Sequence, residues 1–282
     1  MDRDTRVVTA HDIRAATREI GLVGRPICVH VSLCSFGWIE GGAASVVEGL
    51  LAEGCTVLAP TFSYRFGNMP SPGMRRWAQN AWQEERSWDD TEARALVYRP
   101  DSQDIDQRDM GAIATALLGM PGRGRGDHPL NSFAAVGPLA AELIAGQTPM
   151  DVYAPLKALV ERDGAVVLMG VGLDKMTLLH LAEERAGRRM FRRWANGPNG
   201  QPMEVAAGGD SAGFPNLGPA LDPFASERRV GASRWRAFPA GATLDAATRA
   251  IRAHPAVTRC AADCLECRDA IAGGPVPLAG VT

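Results

Sequence analysis

Two short apolar runs joined by one helix limit the folds open to this chain more than any other feature. The runs cover residues 26–33 and 55–60, and residues 43–52 between them have the length and apolar content of a helix. A helical crossover of this length connects parallel strands, because antiparallel neighbours need only a short turn. The segment therefore predicts a parallel sheet covered by helices.

A second unit of the same kind lies further along the chain. Residues 165–169 form an unbroken apolar run, which is typical of a strand buried on both faces. Predicted helices precede it at 156–161 and follow it at 175–186. We therefore expect an α/β fold, with three α/β/α layers around a mainly parallel central sheet. We expect residues 1–282 to form a single domain, since this length suffices for one large buried core.

Residues 63–107 break the regular pattern. Tryptophans alternate there with acids, glycines and prolines, without clear periodicity. A long irregular excursion in an otherwise regular α/β chain is more often functional than idle, so we expect an inserted flap beside the site. Its rings and carboxylates would suit a polycationic, sugar-like ligand. A surface flap with solvated charges is the alternative.

Charge and composition exclude several classes of protein. The chain has 30 Lys and Arg against 32 Asp and Glu, so no basic excess exists for general nucleic-acid binding. No apolar run reaches the roughly 18 residues that span a bilayer, and residues 1–6 lead into no signal peptide. Six cysteines in mostly apolar surroundings do not resemble a secreted disulfide framework. We expect a cytoplasmic protein that binds neither nucleic acid nor membrane.

Three histidines fall where an open α/β sheet places its ligands, beyond the carboxyl ends of its strands: His30, His128 and His180. His180 is the strongest candidate for a catalytic base, because Glu183 and Glu184 share its predicted helix face. A carboxylate there could orient the imidazole and stabilise its protonated form. A solvated His–Glu pair on a helix surface is the alternative.

Cysteines allow a second kind of chemistry. Cys28 and His30 point to the same face of the predicted strand and could form a thiolate–imidazole pair. Cys34 lies past the strand, in a loop. Free cysteine is among the most buried residue types, so we favour a structural role for Cys28.

A cysteine cluster near the C-terminus has two interpretations. Cys260, Cys264 and Cys267, with His254 upstream, could bind zinc. Their spacing also matches one face of a helix, where they would simply pack. The ligand pattern is incomplete for a zinc motif, so we expect packing and no metal.

Several segments together resemble the aminoglycoside 3-N-acetyltransferase family, which is distinct from the GNAT acetyltransferases. Residues 29–42 resemble its first motif and residues 128–137 its central motif. Residues 168–172, followed by Leu-His-Leu-Ala-Glu at 179–183, resemble its third motif. Residues 108–111 and the Cys-Leu-Glu-Cys sequence at 264–267 also fit, in the expected order.

The resemblance implies acetyl transfer from acetyl-CoA to the 3-amino group of a 2-deoxystreptamine aminoglycoside, a reaction that confers antibiotic resistance. The family's general base corresponds to His180, with Glu183 as the motif's acid and Asp151 as a further acid. We expect direct transfer in a ternary complex, because no cysteine is convincingly placed as a nucleophile. His30 is the next candidate for the base.

The resemblance also implies binding residues. Asp151, Glu183 and Glu184 would face the ammonium groups of the aminoglycoside, together with acids at 84–92. The residues that would lie along CoA are Ser32, Leu33, Cys34, Ser35, Phe36, Arg108, Met110, Gly111, Arg125, His128 and Ser132. A related N-acyltransferase with a non-antibiotic amine acceptor is one alternative. A non-enzymatic zinc- or ligand-binding protein is the other.

Overall fold

The computed structural model describes residues 7–68, 76–81 and 96–278. Its strands are β1 (Pro26–Val31), β2 (Thr56–Pro60), β3 (Trp77–Ala78), β4 (Gly124–Arg125), β5 (Phe133–Val136), β6 (Ala165–Met169), β7 (Phe191–Asn196), β8 (Pro202–Ala207), β9 (Ser226–Val230), β10 (Ser233–Pro239) and β11 (Val276–Pro277). Its helices are α1 (Ala10–Glu19), α2 (Gly42–Ala52), α3 (Gln107–Leu118), α4 (Ala140–Ile144), α5 (Ala154–Glu161), α6 (Leu178–Arg185), α7 (Gly218–Leu221), α8 (Ala240–Ala253) and α9 (Leu265–Ile271).

The central sheet has seven strands in the order β4-β5-β2-β1-β6-β10-β9. The three middle strands are mutually parallel, as the β-α-β pattern predicted. β5 and β10 run antiparallel to their neighbours on both sides. The edge strands β4 and β9 therefore point the same way as the middle strands. The mainly parallel sheet is confirmed, with two antiparallel strands that the sequence did not reveal.

Alternate residues of the middle strands face opposite helical layers, because side chains alternate across a strand. In β6, Val166 and Leu168 belong to the core shared with α4, α5, α6 and α8. Val167 and Met169 belong to the core shared with α1, α2 and α3. Both faces are buried, which is why β6 is an unbroken apolar run. The expected three-layer architecture is confirmed.

The helix after β6 begins later than predicted. Leu173–Lys175 form a 3-10 turn, and α6 starts only at Leu178. The sequence also did not predict the two hairpins formed by β7 with β8 and by β9 with β10. The longest helix of the described ranges, α8, has 14 residues. No helix within those ranges has both the length and the apolarity to cross a bilayer.

The described parts of 63–107 pack beside the β7–β8 hairpin. Phe66 and Tyr98 contact edge to face at 5.4 Å and share a small apolar core with Ala195 and Val205. The tryptophans and acids of 82–95 lie outside the described residues. The flap and the single-domain organisation therefore stay predictions.

Candidate active site

A cavity of about 890 Å³ opens at the carboxyl ends of the parallel strands. His30 and Val31 of β1 and Pro60 of β2 line it, together with the loop that follows β6, Gly170 to Gly172. α6 contributes His180 to the same wall. The position agrees with the rule that open α/β sheets bind ligands beyond the carboxyl ends of their strands.

His180 is buried against this cavity and held by its own helix. Its Nδ1 lies 2.9 Å from Oε2 of Glu183, three residues later, as the spacing predicted. Nε2 has no hydrogen-bond partner within the described ranges. The Tyr153 ring stacks on the imidazole at 6.0 Å, and Phe214 contacts it edge to face at 4.7 Å. These contacts leave one ring nitrogen available to a ligand and fix the plane of the ring.

Glu183 is itself held by Arg188, a buried residue that was not among the predicted site residues. The guanidinium of Arg188 binds Glu183 Oε1 and donates to Thr258 Oγ1 at 2.7 Å. Both side chains of the ion pair are 7% exposed. A buried carboxylate needs such compensation, because an unpaired charge there is costly. The only local signal was a pair of arginines, Arg188 and Arg189, just beyond the end of α6.

A glycine brings the chain close to the imidazole. A Cβ on Gly208 would lie 2.2 Å from the Tyr153 hydroxyl and 3.2 Å from Cγ of His180. A larger residue would therefore displace one of the two rings.

The Tyr153 hydroxyl beside this glycine stays protonated. Burial, and then the charge of Glu183, raise the pKa of Tyr153 well above its usual value.

His30 and Cys28 contact each other, but not as a reactive pair. Their Nε2 and Sγ atoms are 3.8 Å apart. Burial lowers the pKa of His30 to about 3 and raises the pKa of the Cys28 thiol. Burial thus disfavours both the Cys28 thiolate and the His30 imidazolium. It stabilises the neutral thiol and the neutral imidazole instead, so a reactive thiolate–imidazolium pair does not form. This favours the structural role for Cys28.

The central motif folds into a hydrogen-bonded support beside the cavity. His128 Nε2 lies 2.8 Å from the Ala206 carbonyl oxygen, and the amides of Leu130 and Asn131 donate to its Nδ1. Burial lowers its pKa to about 4. Buried Arg125 donates to Ser132 Oγ at 3.0 Å. CoA binding by these side chains stays a prediction, and none of the three lines the described cavity.

Asn131 of the same motif does reach the cavity. Its Oδ1 is buried without a hydrogen-bond partner in the described ranges, and its amide group lies 3.5 Å from the Tyr64 hydroxyl. A buried carbonyl oxygen without a partner is costly. Asn131 is therefore a candidate to accept a hydrogen bond from a ligand, and no spacing or motif in the sequence singled it out.

The other residues assigned to CoA divide into two groups. Those on the cavity wall are Ser32, Leu33, Cys34, Arg108, Met110 and Gly111. Ser35 and Phe36 turn away: Ser35 donates to Ser233 Oγ at 2.8 Å, and Phe36 packs on Trp235 at 6.0 Å. Contact of all eight residues with CoA stays a prediction.

The acids predicted to meet the acceptor are distributed differently from the expectation. Asp151 and Glu184 bind Lys157 at 2.9 and 3.4 Å, away from the cavity wall. In the described ranges, the acids on the wall are Asp109 and Asp174. Glu183 lies behind His180, and residues 84–92 lie outside the described ranges.

The C-terminal cysteines do not share one helix face. α9 begins only at Leu265, after Cys260 and Cys264, so the packing interpretation based on helical spacing is wrong. The three cysteines instead converge with Asp210, their ligand atoms all within 4.8 Å of one another. His254 is not part of this cluster.

The fold and the site define a class of protein: a three-layer α/β domain with a buried histidine–carboxylate pair on the wall of a large cavity. Residues 28–252 match the family model described as Aminoglycoside 3-N-acetyltransferase. The chain belongs to the aminoglycoside 3-N-acetyltransferase family, which confirms the resemblance carried by the motifs.

Known proteins with similar sequences and folds support this assignment. Aminoglycoside N(3)-acetyltransferase IX of Micromonospora chalcea is 34% identical over 66% of this chain and 65% of its own length. The match thus spans slightly less than two thirds of that relative. Aminoglycoside acetyltransferase AAC(3)-Xa is 27% identical, with a TM-score of 0.71 over 89% of this chain and 95% of its own. The structure described as AAC-IIIb binary with CoASH has the same fold, at 22% identity and a TM-score of 0.72 over 88% and 97%.

Proposed function

We propose that the protein transfers the acetyl group of acetyl-CoA to the 3-amino group of a 2-deoxystreptamine aminoglycoside, conferring resistance. The observation that carries this proposal is His180 on the cavity wall, with Nδ1 held by Glu183 and Nε2 without a partner in the described ranges. Membership of the family and the names of its relatives supply the substrate class.

The site has the groups that direct transfer needs. An amine is protonated at neutral pH and cannot attack a thioester in that form, so a base must hold or take its proton. The acceptor reacts as the neutral amine, after one proton has left it for solvent. His180 Nε2 takes a second proton from the nitrogen as it attacks the thioester carbonyl and the C–N bond forms. The C–S bond then breaks, and the imidazolium returns that proton to the CoA sulfur, so that CoA leaves as its thiol. Glu183 compensates the imidazolium, and no covalent enzyme intermediate forms.

The cavity is proposed to hold both substrates. Ser32, Leu33 and Cys34 on one wall would contact CoA, as the resemblance implies. The unpaired Oδ1 of Asn131, with Asp109 and Asp174, would receive ammonium groups of the acceptor. A relative with the same fold, AAC-IIIb, is described as a complex with CoASH, which supports CoA as the acetyl carrier.

Replacing the base tests the mechanism. We expect His180→Ala to lower kcat by about 10²–10⁴-fold, the usual contribution of general-base catalysis, and to leave acetyl-CoA binding intact. CoA thiol release gives kcat, and calorimetry gives acetyl-CoA affinity. The exposed His11 of α1 provides the matched control: His11→Ala should behave as wild type. Near-normal kcat in His180→Ala would show that His180 is not the base.

A panel of acceptors tests the substrate class. Several aminoglycosides are compared with simple primary amines, each with acetyl-CoA, and the products are located by mass spectrometry and NMR. We expect acetylation at the 3-amino group of 2-deoxystreptamine. Turnover with simple amines and none with aminoglycosides would favour an N-acyltransferase with another acceptor.

A further inference from the structure

Four potential metal ligands converge at the junction between α9 and the loop that follows β8. Cys264 Sγ and Cys267 Sγ lie 3.5 and 3.7 Å from Oδ2 of Asp210, and Cys260 Sγ lies 3.4 Å from Cys267 Sγ. The other carboxylate oxygen of Asp210 accepts from the Ala212 amide at 2.9 Å. One oxygen is thus used by the protein, and the other faces three sulfur atoms.

These three separations are close to the edges of a tetrahedral zinc site, and all four ligand atoms lie within 4.8 Å of one another. With Zn–S bonds of about 2.3 Å and a Zn–O bond of about 2.0 Å, the edges of the tetrahedron are about 3.8 Å for S–S and 3.5 Å for S–O. Thiolate ligands favour zinc over the hard cations magnesium and calcium. The Cys260 amide donates to Cys267 Sγ and the Cys267 amide to Cys264 Sγ, both at 3.4 Å, which supports the sulfurs as charged ligands.

We propose that Asp210, Cys260, Cys264 and Cys267 bind a structural zinc ion. Four protein ligands complete the tetrahedral shell and leave no open position for a substrate or water, so the metal has no direct part in catalysis. The assignment rests on the ligand geometry alone and does not depend on the proposed acetyl transfer.

The zinc ion would fasten the C-terminal segment to a wall of the active site. Gly209 and Ser211, the neighbours of Asp210 in sequence, both line the cavity. Thr258, two residues before Cys260, accepts a hydrogen bond from Arg188, the partner of Glu183. The site therefore supports the wall of the cavity and the carboxylate behind His180 at the same time.

Metal analysis of the full chain tests the site. Protein is stripped with a chelator under reducing conditions, returned to zinc, desalted and measured by mass spectrometry. We expect one zinc ion per chain, and in the cobalt form the thiolate charge-transfer and intense visible bands of a tetrahedral site. Zinc should raise the thermal midpoint by roughly 5 °C or more, because it binds the folded chain preferentially.

Matched variants separate this site from adventitious binding. Cys264→Ser and Asp210→Asn should lose most of the zinc. Cys34→Ser and Asp263→Asn, which alter an exposed cysteine and an exposed acid outside the cluster, should keep it.

Three results would overturn the proposal: wild type with no more zinc than Cys264→Ser, control variants that lose the metal equally, or a Cys260–Cys267 disulfide formed instead of metal binding. Should the cluster variants fail to fold, the stoichiometry and cobalt spectrum of the wild type still decide the question.

Discussion

At the scale of single residues, Glu183 serves two partners with its two carboxylate oxygens. One orients the imidazole of His180, and the other neutralises the buried guanidinium of Arg188. Substitutions along this chain of contacts should therefore separate catalysis from stability. His180 can be removed without leaving a buried charge unpaired, whereas neither member of the ion pair can.

The ion pair gives a double-substitution prediction. Arg188→Met leaves the Glu183 carboxylate buried and uncompensated, and we expect it to lower the free energy of unfolding by about 3–5 kcal/mol. Glu183→Gln should cost less kcat than His180→Ala, since the amide oxygen can still hold the imidazole. The double variant Glu183→Gln/Arg188→Met should regain most of the free energy of unfolding that Arg188→Met alone loses, because no buried charge is left unpaired. Its kcat should stay reduced. Denaturant unfolding and CoA release measure the two effects, and additive losses in the double variant would contradict this account.

The buried His128 predicts acid sensitivity. Its pKa is lowered from 6.5 to about 4, chiefly by burial, so the folded chain binds fewer protons than the unfolded chain between these values. The contribution of His128 to the free energy of unfolding is therefore fully present above about pH 6.5. It is lost as the pH falls toward 4, by on the order of 3 kcal/mol. His30 adds to the effect, because its folded-state pKa is about 3.

The measurement is urea unfolding between about pH 7.5 and pH 5, where carboxylates are still mostly ionised. His128→Gln should flatten the slope of stability against pH, and the exposed His254→Gln should not. A slope that is unchanged in His128→Gln, or stability that rises on acidification, would show that His128 is not buried in its neutral form.

At the scale of elements, helix α3 is broken where it meets the cavity. Gly111 has φ +76° and ψ −178° inside the helix, so the turn at 107–110 is set apart from the helix that continues to Leu118. We expect Gly111→Ala to lower the free energy of unfolding by about 1–3 kcal/mol, because a positive φ combined with an extended ψ is a conformation that essentially only glycine adopts. It should also raise the KM for acetyl-CoA by displacing the turn that carries Arg108 and Met110.

Gly119 at the end of the same helix is the matched control. Its φ is −83°, a conformation that alanine adopts without strain. Gly119→Ala should change stability by less than about 1 kcal/mol and leave KM unaltered. Equal effects of the two substitutions on the thermal midpoint and KM would disprove a special role for the break.

The elements predicted well from sequence are those whose signal is local and apolar. β6 has the predicted boundaries, since it is a strand buried on both faces. The β9–β10 hairpin was missed because most of β9 is exposed and charged, as suits the edge of a sheet. The hairpin joins the sheet because β10 pairs with β6. This pairing is a tertiary contact, and the local periodicity of the sequence cannot predict it.

The residues of the site divide in the same way, into those with a local sequence signal and those brought together by tertiary contacts. His180 and Glu183 were predicted because their contact spans one helical turn. Tyr153, Phe214 and Arg188 reach the site from other elements, so no spacing in the sequence connects them to His180. Asp210 joins the three cysteines for the same reason: the sequence offered one C-x₂-C pair, and the fourth ligand comes from a distant loop.

At the scale of the whole molecule, the distribution of charge around the cavity predicts how the acceptor binds. Asp174 lies on the wall and is partly exposed. If ammonium groups meet it, Asp174→Asn should raise the acceptor KM several-fold with little change in the KM for acetyl-CoA. The control is Asp245→Asn, which alters an exposed acid paired with Arg185 away from the cavity.

Salt provides an independent measurement of the same property. Attraction between exposed charges is screened with a Debye length of about 10 Å at 0.1 M salt. The acceptor KM should therefore rise with ionic strength, and more steeply than the KM for acetyl-CoA. An acceptor KM that is indifferent to both salt and Asp174→Asn would contradict an acid-lined acceptor site.

The strand order has a consequence for how the chain is made. β1 and β2 emerge early from the ribosome and can pair with each other. The other edge of β1 pairs with β6, and the other edge of β6 pairs with β10, which is synthesised much later. Such non-local pairing folds slowly and leaves apolar strand edges open to aggregation meanwhile. We therefore expect the nascent chain to stay prone to aggregation until β6 and β10 have been synthesised, and a product that terminates before residue 165 to form no stable domain.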